Sequence, residues 1–162
     1  MNENNTRPRI AIERTYTASV EDLWDLWTTK EGIESWWGPD GFTTKVLTLD
    51  LRPGGELRYA MTATAPAQVA FMKNAGMPVT TQAQISYTEV VTCRRLAYTH
   101  LADFIPGVEP YDVATQVEFH SNGQSVCMVL TFDPMHDEQW TRRAVMGHES
   151  QLGKLEMVIA AK

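Results

Sequence analysis

Cysteine is scarce: the 162 residues hold only two, Cys93 and Cys127. A disulfide-built secreted scaffold cannot rest on them, and no CxxC or Cys/His zinc spacing occurs. Positive charge is short as well, with 14 Lys and Arg against 20 Asp and Glu and a net charge of −6. That balance argues against broad nucleic-acid binding, which needs cations to neutralise phosphates. It argues equally against electrostatic docking on an anionic membrane. No apolar run approaches the ~20 residues of a membrane-spanning helix. The start, Met1-Asn2-Glu3-Asn4-Asn5-Thr6, has no basic segment followed by an apolar one, so no secretory signal is expected and a cytoplasmic location is. Repeats, low-complexity tracts and Gly/Ser linkers are all missing. The length fits one domain at ~100–200 residues each, and 43% apolar residues suffice to fill a core. Residues 1–8 are expected to form a disordered tail and residues 9–162 a single domain.

Periodicity supplies the elements. Arg9 to Tyr16 alternates as a strand does. Ser19 then caps a helix whose apolar face is Leu23, Trp24, Leu26 and Trp27, and a second short helix from Lys30 is expected to stop near Trp37 at Gly38-Pro39. Strands follow from Thr43 to Leu51, with Leu57, Tyr59 and Met61 on one face of the next, then from Thr81 to Val91 and Leu96 to Leu101. Asp112 to His120 and Ser125 to Asp133 flank Asn122-Gly123, a strong hairpin signal. From His136 to Ala161 the pattern is helical. One face collects Trp140, Ala144, Leu152, Leu155, Val158 and Ile159, with His148 and Gln151 on the same side. This order suits an α+β fold in which about six to seven antiparallel strands curve around the long last helix.

Several stretches together resemble a known family. They are Trp36-Trp37-Gly38-Pro39 with Gly41-Phe42, Asp50-Leu51-Arg52-Pro53-Gly54-Gly55, Tyr87-Thr88-Glu89-Val90-Val91 with Arg95-Leu96-Ala97-Tyr98-Thr99, and Gly147-His148-Glu149-Ser150-Gln151-Leu152-Gly153-Lys154-Leu155. The chain resembles the START-like (SRPBCC) superfamily, in the branch named for the activator of the ninety-kilodalton heat-shock chaperone's ATPase. The resemblance implies a helix-grip fold with an internal cavity for an apolar or aromatic small molecule. It fixes no reaction, since relatives include lipid and hormone binders and polyketide cyclases. His148 stands where the family's helix motif has Trp, and His100 where an aromatic often follows Tyr-Thr. Both add polar groups to the expected pocket. The segment Met61 to Gln82 is longer than the family's turn, and residues 66–75 read as an inserted helix, begun by Pro66 and stopped by Gly76 and Pro78.

The expected ligand-lining residues are Trp37, Tyr59, Met61, Phe71, Met72, Tyr87, Tyr98 and Gln151. Of Trp36 and Trp37, one is expected inside and one at the cavity mouth. His148 and His100 are the candidate catalytic pair, because imidazole exchanges protons near neutral pH. The favoured reading of His148 is a hydrogen-bonded core histidine, or one at a wet cavity edge. Glu89 either joins the histidines or, the favoured reading, pairs with Arg95. His100, His148 and a carboxylate would form a His₂-carboxylate set. With no local ligand motif such as HExxH, no metal and no cofactor are expected. Cys93 and Cys127 are read as strand residues, and no GxSxG elbow or phosphate loop occurs. The 66–75 helix is either a lid with Phe71 and Met72 facing the ligand, or cover for a sheet edge.

The leading functional expectation is binding of a small apolar, aromatic or lipid-like molecule. The alternative is a cyclase, dehydratase or hydrolase using His and Tyr as acid and base. A co-chaperone role has the least support, because a second interaction domain is absent. A homodimer through an edge strand or the inserted helix stays open.

Overall fold

The computed structural model describes residues 8–161 except 39, 104 and 106. The expected tail, apart from Pro8, and the Pro39 of the expected helix stop lie outside those residues. β1 (Ile10–Tyr16) leads into α1 (Val20–Thr28). The Ser19 hydroxyl accepts from the Asp22 amide, and Glu21 and Asp22 place negative charge at the helix's positive end. Thr29 closes α1 and caps α2 (Lys30–Trp36) by accepting from the Gly32 amide. Glycine is needed at position 32, where a Cβ would stand 2.3 Å from the Asp25 carbonyl oxygen.

The remaining elements are β2 (Phe42–Leu49), β3 (Glu56–Ala63), α3 (Pro66–Asn74), β4 (Thr80–Val91), β5 (Arg95–Ala102), β6 (Tyr111–Ser121), β7 (Val126–Phe132) and α4 (Glu138–Ala160). The strands form one curved antiparallel sheet of seven, in the order β1-β7-β6-β5-β4-β3-β2. α1 and α2 carry the chain from the β1 edge to the β2 edge, and α4 returns across the same face. This is the α+β arrangement expected from the element order, and the helix-grip fold that the resemblance implies.

Strand alternation decides which side chains meet the helices. Val126, Met128, Leu130 and Phe132 of β7 are buried, as are Val113, Thr115, Val117 and Phe119 of β6. Leu23, Trp24, Trp27, Ile33 and Trp36 from α1 and α2 join them, with Leu152 and Leu155 from α4. A smaller core of Ala102, Ile105, Val113 and Met135 lies apart from this one.

In β4 the alternation breaks. Tyr87 pairs with Tyr98 but Glu89 pairs with Ala97, so one extra residue is inserted between them. A slip of one residue exchanges the two faces. Tyr87 therefore stays buried, while Glu89 and Val91, which strict alternation would put on its face, turn away and Val90 packs on the core instead. Glu89 meets Arg95 at 3.4 Å. Cys93 is not in a strand. It occupies the β4–β5 turn with a left-handed φ of 61°.

Candidate functional site

Between α4 and the sheet lies a cavity of about 360 Å³. Its wall is built by register. Tyr98, Thr115 and Phe132 stand side by side across β5, β6 and β7, and His100 and Val113 form the next rung. Tyr59 and Ile85 contribute from β3 and β4, and Met135 from the segment before α4. α4 supplies the opposite wall with Trp140, Arg143, Ala144, Gly147, His148 and Gln151. Arg143, Gly147 and Gln151 are spaced four apart, so they share one helix face. At 1.5 Å per residue they span about 12 Å of the cavity's length.

The two ends of that span differ. At the Gln151 end, Trp37 contacts the rings of Tyr59 and Tyr98 with centroids 5.9 and 6.3 Å away. Behind it Trp36 and Trp27 continue the aromatic cluster at 5.2 and 5.7 Å. The chain after α2 is latched to α4 there. The Gly38 amide donates to the Gln151 Oε1 at 3.2 Å, the Asp40 amide donates to the Ser150 hydroxyl, and Lys154 Nζ donates to the carbonyls of Gly38 and Phe42. With its oxygen engaged, Gln151 keeps an amide NH₂ for the cavity. At the other end the wall opens to solvent. Arg143 is exposed and lies over the Trp140 ring, 4.8 Å from its centroid.

Burial sets the protonation states. His148, stacked at 4.5 Å on Phe132, is pushed down to about 4, first by loss of water and then by the neighbouring His100. His100 is also lowered, mainly by burial, with Asp112 acting in the opposite direction. Both imidazoles are therefore neutral at pH 7, each with one donor and one acceptor nitrogen. Tyr98 and Tyr59 are raised by burial, so both stay protonated, and the Trp37 indole N–H donates to the Tyr59 phenol oxygen. The cavity is thus an apolar, aromatic chamber with a few polar groups, all uncharged except Arg143.

Six of the residues expected to line a pocket meet here: Trp37, Tyr59, Tyr98, His100, His148 and Gln151. Trp37 stands at the buried end, not at a mouth, and Trp36 is wholly inside. Four others stand elsewhere. Phe71 is 67% exposed, while Met72 of the same helix is buried, so α3 turns only one side inward. Among the described residues no side chain of α3 lines the cavity. Met61 lies against Gly38, where a Cβ would come within 3.4 Å of its sulfur. Tyr87 is packed in the core, and Ile85 takes the lining position on β4. Among the described residues, no three His, Cys, Asp or Glu side chains are close enough together to hold a metal ion. Arg143 and Gly147 (the latter named only within the family motif), Thr115 and Met135 are not among the lining residues expected from the sequence. The signal for the first two was there: they precede Gln151 by eight and four residues.

Residues 17–160 match the family model described as Activator of Hsp90 ATPase homolog 1-like protein. The chain belongs to that family. Three solved structures share the fold of this chain. A protein from Chromobacterium violaceum is 21% identical, over 94% of this chain and 96% of that one, with a TM-score of 0.74. A protein from Arthrobacter aurescens is 17% identical over 95% and 87% of the two chains, with a TM-score of 0.75. The AHSA1 protein from Silicibacter pomeroyi is 17% identical over 94% and 98%, with a TM-score of 0.73. No curated protein matches. Among the described residues of this AHSA1-like protein, no helix is long and apolar enough to cross a membrane.

Proposed function

We propose that this AHSA1-like protein binds a small aromatic or apolar molecule in the cavity between α4 and the sheet. The observation that carries the reading is the chamber of about 360 Å³, floored by Trp37, Tyr59 and Tyr98. Its size falls within the ~300–1,000 Å³ usual for ligand pockets, and its few polar groups amid apolar wall are what such sites use to orient a ligand.

Gly147 provides the test. It lines the cavity, and a Cβ there would meet nothing within 4 Å. Gly147→Phe should therefore fold, because a helix interior favours almost any residue over glycine, while its ring fills the chamber. In a thermal-shift screen of aromatic and lipid-like compounds, a ligand at 100 times its Kd adds about 2.7 kcal/mol to the wild type. That shift should vanish in Gly147→Phe. Equal shifts in both proteins, or none in the wild type, would overturn the reading.

Acid–base catalysis on the bound molecule is the second reading. It is favoured by two imidazoles and two phenols sharing one chamber. The protonated Tyr59 and Tyr98 suit hydrogen-bond donation to a carbonyl. His148 is less suited to the part of base, because a group with pKa about 4 accepts a proton poorly at pH 7. Under this reading His100→Ala abolishes turnover of a cavity ligand and leaves its binding intact. Unchanged turnover would remove His100 from the chemistry.

A further inference from the structure

Among the described residues lining the cavity, Arg143 is the only one that carries a full charge at pH 7. It makes no ion pair with any other described residue, in contrast to its neighbour Arg142, which meets Glu138 at 2.9 Å. This is notable in a chain where acids outnumber bases by 20 to 14. Trp140 holds the guanidinium from below, one turn earlier on α4. A guanidinium held in this way keeps its N–H edges free for a planar anion.

The cavity is graded along its length. Trp37, Tyr59 and Tyr98 at the buried end offer aromatic rings and uncharged phenol hydroxyls, with the Gln151 amide beside them. His148 between the ends offers hydrogen bonds without charge. Arg143 at the open end offers charge in contact with water. A molecule that fits all three zones has an aromatic body and an anionic group at one end, about 12 Å apart at most by the rise of α4. A single cation in a protein of net charge −6 suits a monoanion better than a doubly charged phosphate.

We propose that the ligand is an aromatic monocarboxylate, its rings against Trp37 and Tyr98 and its carboxylate on Arg143. This rests on the cavity-binding reading above, and it adds the chemical class of the ligand and the residue that selects it. Arg143 is outside the core, so its replacement changes selection and leaves the chamber standing.

The experiment compares acid and amide. One- to three-ring arylacetates and the matching arylacetamides are titrated by calorimetry into wild type, Arg143→Gln, Arg143→Lys and Gly147→Phe. The wild type should prefer the acid about three- to tenfold, the range of a partly exposed charge-assisted pair. Arg143→Gln should lose that preference while binding the amide as the wild type does, and Arg143→Lys should keep part of it. The preference should also shrink as salt is raised, because the pair sits at the solvent end. Equal affinity for acid and amide in the wild type, or equal weakening of both by Arg143→Gln, would overturn the carboxylate assignment and leave cavity binding intact. Failure of every pair to bind, or binding that Gly147→Phe does not block, would overturn the cavity reading and this assignment with it.

Discussion

The two ends of the cavity are built by different means. The end at Trp37 is backed by Trp36, Trp27, Trp24 and Phe119, a run of edge-to-face rings with centroids 4.7 to 6.3 Å apart. Three hydrogen-bonded latches from α4 hold the chain above it. The end at Arg143 rests on a core of four small or medium residues, Ala102, Ile105, Val113 and Met135. Aromatic area buried without charge stabilises the first end. The second gives up packing for polar side chains that water still reaches. Stability is therefore concentrated at one end and chemical selectivity at the other. Substitutions at the two ends should separate accordingly.

The largest effect should come from the aromatic end. Trp36 is fully buried, and its Nε1 donates to the Leu26 carbonyl at 2.7 Å. Trp36→Ala should cost about 3–5 kcal/mol, through lost transfer energy and the void left behind. Urea unfolding checks this, and a loss under about 1 kcal/mol would mean that the aromatic cluster is not the stability centre.

Next comes His148, which sits between the ends. Its pKa is about 4 folded against an ordinary 6.5, so between those values the unfolded chain binds a proton that the folded chain does not. Stability therefore rises with pH through that window and is lost as pH falls from about 6.5 toward 4. His148→Phe should flatten this slope, removing about 1–3 kcal/mol of acid sensitivity. Melting curves at pH 7 and pH 4.5 of both proteins measure it. An unchanged difference between the two pH values would place the acid sensitivity on other groups.

These contrasts also explain what could be read from the chain beforehand. The fold was legible because its signals are local: Ser19 as a cap, Asn122-Gly123 as a hairpin turn, and a long apolar face on the last helix. Family resemblance then joined these pieces into a helix around which a sheet curves. The aromatic end was legible through Trp37, Tyr59 and Tyr98, since bulky apolar residues at strand or helix period point inward. What escaped depended on geometry that strict period-two counting does not carry. The extra residue in β4 put Val90 on the core side after Tyr87, while Glu89 meets Arg95 as the favoured reading had it. α3 turned Phe71 to solvent and Met72 inward, against a shared role for the two. An exposed cation and a glycine do not mark an apolar face, so periodicity assigns neither Arg143 nor Gly147 to the cavity. They matter through what they leave open, which only the assembled chamber makes visible.

The smallest effects on stability should fall at α4's contacts with the ligand zone, and they rank by what is left unpaired. Gln151→Leu removes the acceptor of the Gly38 amide, yet Ser150 and Lys154 still hold the same stretch. The expected cost is about 1 kcal/mol, one hydrogen bond whose donor becomes only partly exposed to water. Arg143→Gln should cost less, within about 0.5 kcal/mol, because an exposed cation over a ring contributes little to folding. The ratio between that small stability change and the change in acid-over-amide preference is the decisive quantity. A residue that packs loses both together. A residue that selects a ligand loses preference alone, and urea unfolding beside calorimetry on the same Arg143→Gln protein tells the two apart.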